Sequence, residues 1–376
     1  MEKRILLSSP TMYGDEQKFI KEAFDTNWVA PLGKNVDELE HVVANYLGVK
    51  GALALSSGTA ALHLAVKLAG VKAGDIVICS DMTFAATVNP VSYENGTQVF
   101  VDSERETWNM NPKALELALK KYGSKVKAVI VVNLYGTPAK LNEIKDLCDK
   151  YNVVLIEDAA ESLSATYKGR QTGTFGKYNA ISFNGNKIIT TSGGGMLLSD
   201  DEEAIKKAKF WSTQSREPAP WYQHKELGYN YRMSNIVAGI GRGQMLHLDE
   251  HKKLKRNIYD RYKQGFEGLP ITMNPYLQDS DPNFWLSCML LDKEVVESGK
   301  VTPEIVRLKL EENNIESRPI WKPMHMQPLY AEHDYIIVDG DNVGEDIFAR
   351  GLCLPSDVKM TVEEQNKVIE IIRGLF

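Results

Sequence analysis

The sequence predicts an α/β protein built on a mixed, mostly parallel sheet, with a second, smaller α+β unit behind it. Three observations carry this expectation. From about residue 36 to 200, short runs rich in Val and Ile alternate with amphipathic helical periods. The runs are almost continuously apolar, as strands covered by helices on both faces must be. The last two, "NAISFN" and "GGMLLSD", are too close for a parallel crossover, so one strand must run antiparallel.

The elements follow in order. Residues 35–46 have a helical period, "GALAL" (51–55) is a buried strand, and "SGTAALHLAVKLAG" (57–70) is a helix opening at Ser57 or Gly58. Strand "DIVICS" (75–80) precedes helix "FAATVNPVSYE" (84–94), and strand "QVFVD" (98–102) precedes helix "PKALELALKKY" (112–122), which has Pro112 in its first turn. Strand "VKAVIVVN" (126–133), helix "KLNEIKDLCDKY" (140–151) and strand "VVLIED" (153–158) continue the alternation. Residues 212–232 lack a period and are rich in aromatic and polar groups, which favours a functional loop over disorder. A long helix is expected over roughly 234–265. The C-terminal unit ends with a capping box, Thr361 to Glu364, ahead of "NKVIEIIRGLF".

Composition narrows the function. With 376 residues, 43 % of them hydrophobic, the chain can bury a large core without staples. A net charge of −6 with no basic stripe argues against nucleic acid as a partner. The run from His251 to Arg256 reads as a solvated helix face. The four cysteines are far apart and have no metal-ligand spacing, so reduced thiols, no metal site and a cytoplasmic setting are expected. The N-terminus does not read as a signal peptide, and no stretch is apolar for long enough to span a membrane.

Ligands of open α/β sheets bind beyond the carboxyl ends of the strands. Strand 51–55 ends in Ser56-Ser57-Gly58-Thr59, which is either a plain serine cap or an anion cradle at a helix N-terminus. Strand 75–80 leads to Phe84, a core ring or a rim aromatic, and strand 126–133 ends in Asn133-Leu134-Tyr135-Gly136. Strand 153–158 ends in Glu157-Asp158, followed by Glu161. Strand residues alternate faces, so Glu157 and Asp158 cannot both enter one site. Asn184-Gly185 reads as a hairpin turn, Lys187 as a strand lysine, and Gly193 to Gly195 as a turn or bulge, when this stretch is taken alone. Taken together, a lysine, buried carboxylates, an anion cradle and an aromatic ring are what pyridoxal phosphate (PLP) requires. An exposed lysine, with a pKa of ~10.4, is too rarely neutral to act as a nucleophile, whereas burial changes that. "GIGRG" (239–243) has no preceding strand, so it reads as tight helix packing and not as a dinucleotide fingerprint.

Further motifs extend this reading: "NWVAPLG" (27–33), "SSGTAALHLA" (56–65), "NLYG" (133–136), "IEDAAES" (156–162), "GTFG" (173–176), "SFNGNKIITTSGGGM" (182–196), "GYNYRMSNI" (228–236) and "RPIWKPMHMQP" (318–328). In this order they resemble the DegT/DnrJ/EryC1/StrS sugar aminotransferases, and their wording is most similar to enzymes making UDP-4-amino-4,6-dideoxy-N-acetylglucosamine. The resemblance implies fold type I, like aspartate aminotransferase, with a large PLP-binding domain (1–248) around a seven-stranded sheet and a small C-terminal domain (249–376). It implies a homodimer that shares its sites and moves an amino group from L-glutamate to C4 of a UDP-4-keto-6-deoxy-N-acetylhexosamine. A GDP- or dTDP-linked 3- or 4-keto sugar is the alternative acceptor. A sugar dehydratase of the same fold would carry histidine in place of Lys187, and a non-catalytic relative would not retain Lys187 with Asp158.

By the same resemblance, Lys187 forms the Schiff base and moves the proton, and Asp158 partners the pyridine nitrogen. Gly58, Thr59 and Ser182 hold the phosphate, Phe84 stacks on the ring, and Asn230 reaches the phosphate of the neighbouring subunit. Glu161 stands near the cofactor's phenolic oxygen, where many members carry Gln or His, and its role is open. Arg318, Trp321 and His325 match a substrate-facing segment of the small domain, with Arg232 a comparable candidate. The bland alternative for Arg318 and Trp321 is a surface arginine and a packed indole.

Overall fold

The computed structural model describes residues 3–376. Its main sheet contains β1 (Gly51–Leu55), β2 (Ile76–Ser80), β3 (Thr97–Val101), β4 (Val126–Val132) and β5 (Val154–Asp158), followed by strands Tyr178–Ser182 and Gly195–Ser199. The spatial order is β1, Gly195–Ser199, Tyr178–Ser182, β5, β4, β2, β3. Gly195–Ser199 pairs antiparallel with both of its neighbours, while the pairs among β2 to β5 and Tyr178–Ser182 are parallel. This is the single antiparallel strand that the short connection requires.

The faces are covered as the apolar runs demand. Leu53, Leu55, Ile130 and Ile156 pack under helix Gly58–Leu68, while Val129, Val131 and Leu155 pack under helices Pro112–Tyr122 and Leu141–Tyr151. Ala52, Ala54, Met196 and Leu198 meet helix Lys34–Leu47. Side chains alternate across each strand, so a run apolar at every position fills both layers.

Several expectations are revised. The sheet has eight strands, because Tyr335–Ile336, far along the chain, adds parallel to β3. Two residues leave no periodicity in the sequence. The helix expected over 234–265 is two, Asn235–Met245 and Leu248–Gly265. At the break the His247 ring stacks on Tyr13 at 4.0 Å and its Nε2 lies 2.8 Å from Asp15, so the side chain is held across the joint. The basic run is a solvated face only in part, at Lys253 and Arg256. His251 and Lys255, four residues apart, share the inward side of the second helix, where Lys255 Nζ donates to Ser8 Oγ, Trp285 O and Ser356 O. The "GIGRG" glycines do serve packing: a Cβ on Gly243 would stand 2.6 Å from Glu16 Cα, and one on Gly241 would stand 2.8 Å from Leu39 Cδ2.

The C-terminal sheet joins Ile271–Met273, Cys288–Leu291, Gly351–Cys353 and Arg318–Pro319. Its core also takes in Ile5, which bridges to Ile315, so contacts from the N-terminal segment cross the boundary expected at residue 248. All four cysteines are free and buried. Thr361 and Glu364 form the anticipated capping box.

Candidate active site

Beyond the carboxyl ends of the strands lies a cavity of about 290 Å³. Gly58, Thr59, Phe84, Asp158, Glu161, Ser182 and Lys187 line it, together with Trp285 and Trp321. Helix Gly58–Leu68 starts at its wall. Ser57 is the N-cap, its Oγ accepting from Ala60 N, so the serine-cap reading holds. The cap leaves the N–H groups of Gly58 and Thr59 in the first turn, where a helix offers them no acceptor and an anion is favoured.

The triple glycine explains itself by space. A Cβ on Gly195 would stand 2.3 Å from Gly58 N and one on Gly194 would stand 2.3 Å from Thr191 Oγ1, whereas one on Gly193 would meet nothing. Gly195 therefore lets its strand pass against the turn that opens the helix. Gly58 is tight as well, since a Cβ there would come within 3.0 Å of Ser182 Cβ. Asn184-Gly185 does not form a two-residue hairpin. The chain runs irregularly from Phe183 to Gly194, and Lys187 sits in that segment.

Glu157 and Asp158 part as alternation requires. Glu157 turns away to accept from Asn133 Nδ2 and from the N–H groups of Gly173 and Phe175. Asp158 faces the cavity and accepts from Thr87 Oγ1 at 2.7 Å and Ala160 N at 3.0 Å. Burial pushes its pKa up, and Thr87, Ala160 and the Lys187 charge oppose that push.

Lys187 Nζ lies 3.6 Å from Glu161 Oε1 and 4.0 Å from the centroid of the Trp285 ring. Glu161 Oε2 accepts from Tyr135 N at 2.6 Å. Desolvation raises the Glu161 pKa to about 7, against the pull of Lys187 and Tyr135 N–H. Tyr135 aims that N–H from a left-handed backbone (φ 53°), a strained setting for an aromatic residue. Trp285 Nε1 donates to Asn186 O at 2.6 Å, which ties the lysine's own loop to the indole beneath it. Trp321 N donates to the Tyr135 hydroxyl, and the Trp321 ring faces Phe84 at 5.5 Å. Phe84 is 60 % exposed, so it is a rim ring and not core.

The other sequence candidates lie elsewhere. Arg232 is buried against Glu40 Oε1 and Ala54 O, both at 2.9 Å. Arg318 is exposed and paired with Glu316. Neither lines the cavity, nor does His325, which is held between Asp81 and Glu345. Asn230 is exposed, bridged to Thr213 in the 212–232 loop. Nothing in the sequence marks Trp285 or Thr87, and Tyr135 stands out there only as part of the strand-end stretch "NLYG". Trp285 carries no motif, and only the fold brings it to Lys187, 98 positions away. Among the described residues no group of His, Cys, Asp or Glu could hold a metal, and no helix is long and apolar enough to cross a membrane.

A half-buried amine, a buried acid with a fixed donor, and a glycine-walled helix N-terminus fit a pyridine ring, its nitrogen and a phosphate. Comparison with known proteins agrees. Residues 10–373 match the DegT/DnrJ/EryC1/StrS aminotransferase family. The chain is 52 % identical to EpsN of Bacillus subtilis (strain 168), whose name places it among pyridoxal phosphate-dependent aminotransferases, over 100 % of this chain and 97 % of EpsN. It is 34 % identical to GDP-perosamine synthase of Escherichia coli O157:H7 over 100 % and 99 %. It is 36 % identical to the UDP-4-amino-4,6-dideoxy-N-acetyl-beta-L-altrosamine transaminase of Campylobacter jejuni subsp. jejuni serotype O:23/36 (strain 81-176), over 62 % of each chain. Among solved structures, the aminotransferase TlmJ from Streptoalloteichus hindustanus superposes with a TM-score of 0.89 at 26 % identity, covering 99 % of both chains. The chain thus belongs to the DegT/DnrJ/EryC1/StrS aminotransferase family and is a fold-type-I, PLP-dependent sugar aminotransferase.

Proposed function

We propose that this enzyme moves the amino group of L-glutamate to C4 of a UDP-linked 4-keto-6-deoxy-N-acetylhexosamine. The observation that carries the chemistry is Lys187 Nζ, close to Glu161 and over Trp285 in a cavity that also holds Asp158. PLP, when bound, supplies the carbonyl that accepts the amine and the ring that stabilises charge developing on the carbon being deprotonated. Asp158 would keep a proton on the ring nitrogen, held by Thr87 Oγ1 and Ala160 N. The amides of Gly58 and Thr59, with the Ser182 hydroxyl, would hold the phosphate. Lys187 would anchor the cofactor and then carry the proton between substrate carbon and cofactor. Trp285 and Trp321 exclude water on the side facing the C-terminal unit.

The UDP reading is supported by the wording of the motifs and by the similarity to the altrosamine transaminase. A GDP-linked keto sugar is the second reading, supported by the similarity to GDP-perosamine synthase along the whole chain. A homodimer is part of the proposal. Asn230 is exposed and outside its own cavity, in a loop that also exposes Trp221, Tyr222 and Leu227. These features suit a loop that reaches the phosphate site of a second copy.

The test is the absorption spectrum of the PLP-loaded enzyme before and after L-glutamate, followed by a panel of UDP-, GDP- and dTDP-linked keto sugars. A visible band that bleaches with glutamate and returns with one keto sugar identifies the acceptor. In Lys187→Ala the fold and dimer should persist while turnover is abolished, and retained turnover would overturn the assignment.

A further inference from the structure

His325 carries an arrangement that the chemistry at Lys187 does not use. Its Nδ1 lies 2.7 Å from Asp81 Oδ2, its Nε2 lies 2.9 Å from Glu345 Oε1, and its backbone N donates to Asp81 Oδ1 at 2.8 Å. Met324 N donates to Asp81 O, so side chain and backbone of Asp81 both grip the same turn. The ring lies flat on Tyr335 with centroids 3.7 Å apart, and Tyr335 belongs to the short strand beside β3. The imidazolium form donates to both acids at once, one from each nitrogen. Burial works against the charge, but Asp81 and Glu345 outweigh it and hold the pKa above its ordinary value.

What this joins is specific. Asp81 follows directly on β2 and stands three residues before Phe84. His325 stands four residues after Trp321. Phe84 and Trp321 both line the cavity and pack against each other, with ring centroids 5.5 Å apart. A volume of about 290 Å³ shared with a cofactor has room for an amino-acid donor next to Lys187. A nucleotide-linked sugar must extend out of it, and Phe84, which lines the cavity and is 60 % exposed, stands where the cavity meets solvent.

We propose that His325 is a positioning residue for the sugar acceptor: by pinning the Trp321 segment to the end of β2 and to helix Val343–Arg350, it fixes the Trp321–Phe84 wall at the rim of the cavity. The inference rests on the sugar-acceptor reading above. It assigns His325 to the framing of the acceptor and not to contact with it, which differs from the direct substrate role the sequence suggested.

The experiment separates the two half-reactions of the PLP-loaded enzyme. Bleaching of the cofactor band by L-glutamate alone reads the first. Return of the band with increasing keto-sugar nucleotide reads the second and gives its half-saturating concentration. In His325→Ala the glutamate step should stay within about twofold of wild type, while half-saturation by the acceptor rises about tenfold or more. His325→Asn, which keeps a donor for one carboxylate, should recover part of the loss. An unchanged acceptor requirement, or an equal fall in both steps, overturns the proposal. Should His325→Ala not fold, Glu345→Gln decides, because its side chain is 44 % exposed and the Asp81 contact survives. It should raise the acceptor requirement two- to fivefold, and no change refutes the idea. If no keto sugar restores the band in the wild-type enzyme, the acceptor reading itself has failed, and this inference with it.

Discussion

Replacing Glu161 with glutamine should stabilise the cofactor-free enzyme in alkaline solution and leave it nearly unchanged in mild acid. The carboxyl is 5 % exposed, and its pKa rises from an ordinary 4.5 to about 7 because burial penalises the anion more than Lys187 and Tyr135 N–H compensate. The sign follows from that direction. A raised folded-state value means the native protein holds the proton more tightly than the unfolded chain, so the contribution is complete below pH 4.5 and is lost as pH climbs through 7. The shift, about 7 less 4.5, converts at about 1.4 kcal/mol per unit to about 3 kcal/mol. Glutamine keeps the shape and an acceptor for Tyr135 N, and it never ionises. Unfolding entropy of about 2 cal/mol/K per residue turns 3 kcal/mol into roughly 4 °C for a chain of this length. The assay is thermal unfolding of wild type and Glu161→Gln at pH 5 and pH 8.5, cofactor removed, at one protein concentration. The variant should melt within about a degree of wild type at pH 5 and roughly 4 °C higher at pH 8.5. A difference that does not change with pH would refute the claim that burial governs this carboxyl.

Thr87→Val removes the hydroxyl that donates to Asp158 and leaves a buried acid with one backbone donor. The loss should be about 1.5–3 kcal/mol, read as lower stability by denaturant titration and weaker PLP retention by dialysis. Gly195→Ala forces a Cβ to within 2.3 Å of Gly58 N, between two backbone segments that cannot move apart without breaking the register of β1 with Gly195–Ser199. It should destabilise by about 3 kcal/mol or more. Gly193→Ala, with open space around the new methyl, should unfold within about 1 kcal/mol of wild type; equal costs at the two glycines would show that strand approach is not what Gly195 serves.

Local signals were legible where chemistry and period coincide along the chain. The apolar runs placed β1 to β5 to within a residue or two, Pro112 and the Thr361 capping box set their helix starts, and the gap between "NAISFN" and "GGMLLSD" required the antiparallel strand. Lys187, Asp158, Phe84 and the Ser57-Gly58-Thr59 turn could be brought to one place because strand ends in such a sheet share one rim. The alternation of strand faces also separated Asp158 from Glu157.

Other features depend on which surfaces meet, which no local period encodes. A basic run reads as solvent-facing until packing buries Lys255 against Trp285 O and Ser356 O. A histidine in a substrate-facing motif reads as a ligand until Asp81, 244 positions away, takes its nitrogen. Trp285 has no motif at all, and it sits by Lys187 only because the C-terminal unit closes against the large sheet. The sequence by itself determined the fold class and the cofactor, because strand periodicity and residue chemistry are local properties. Tertiary structure alone decided the acidity of Glu161, the aromatic bed of the lysine and the clamp at the mouth, because desolvation and long-range hydrogen bonds exist only once distant segments are packed.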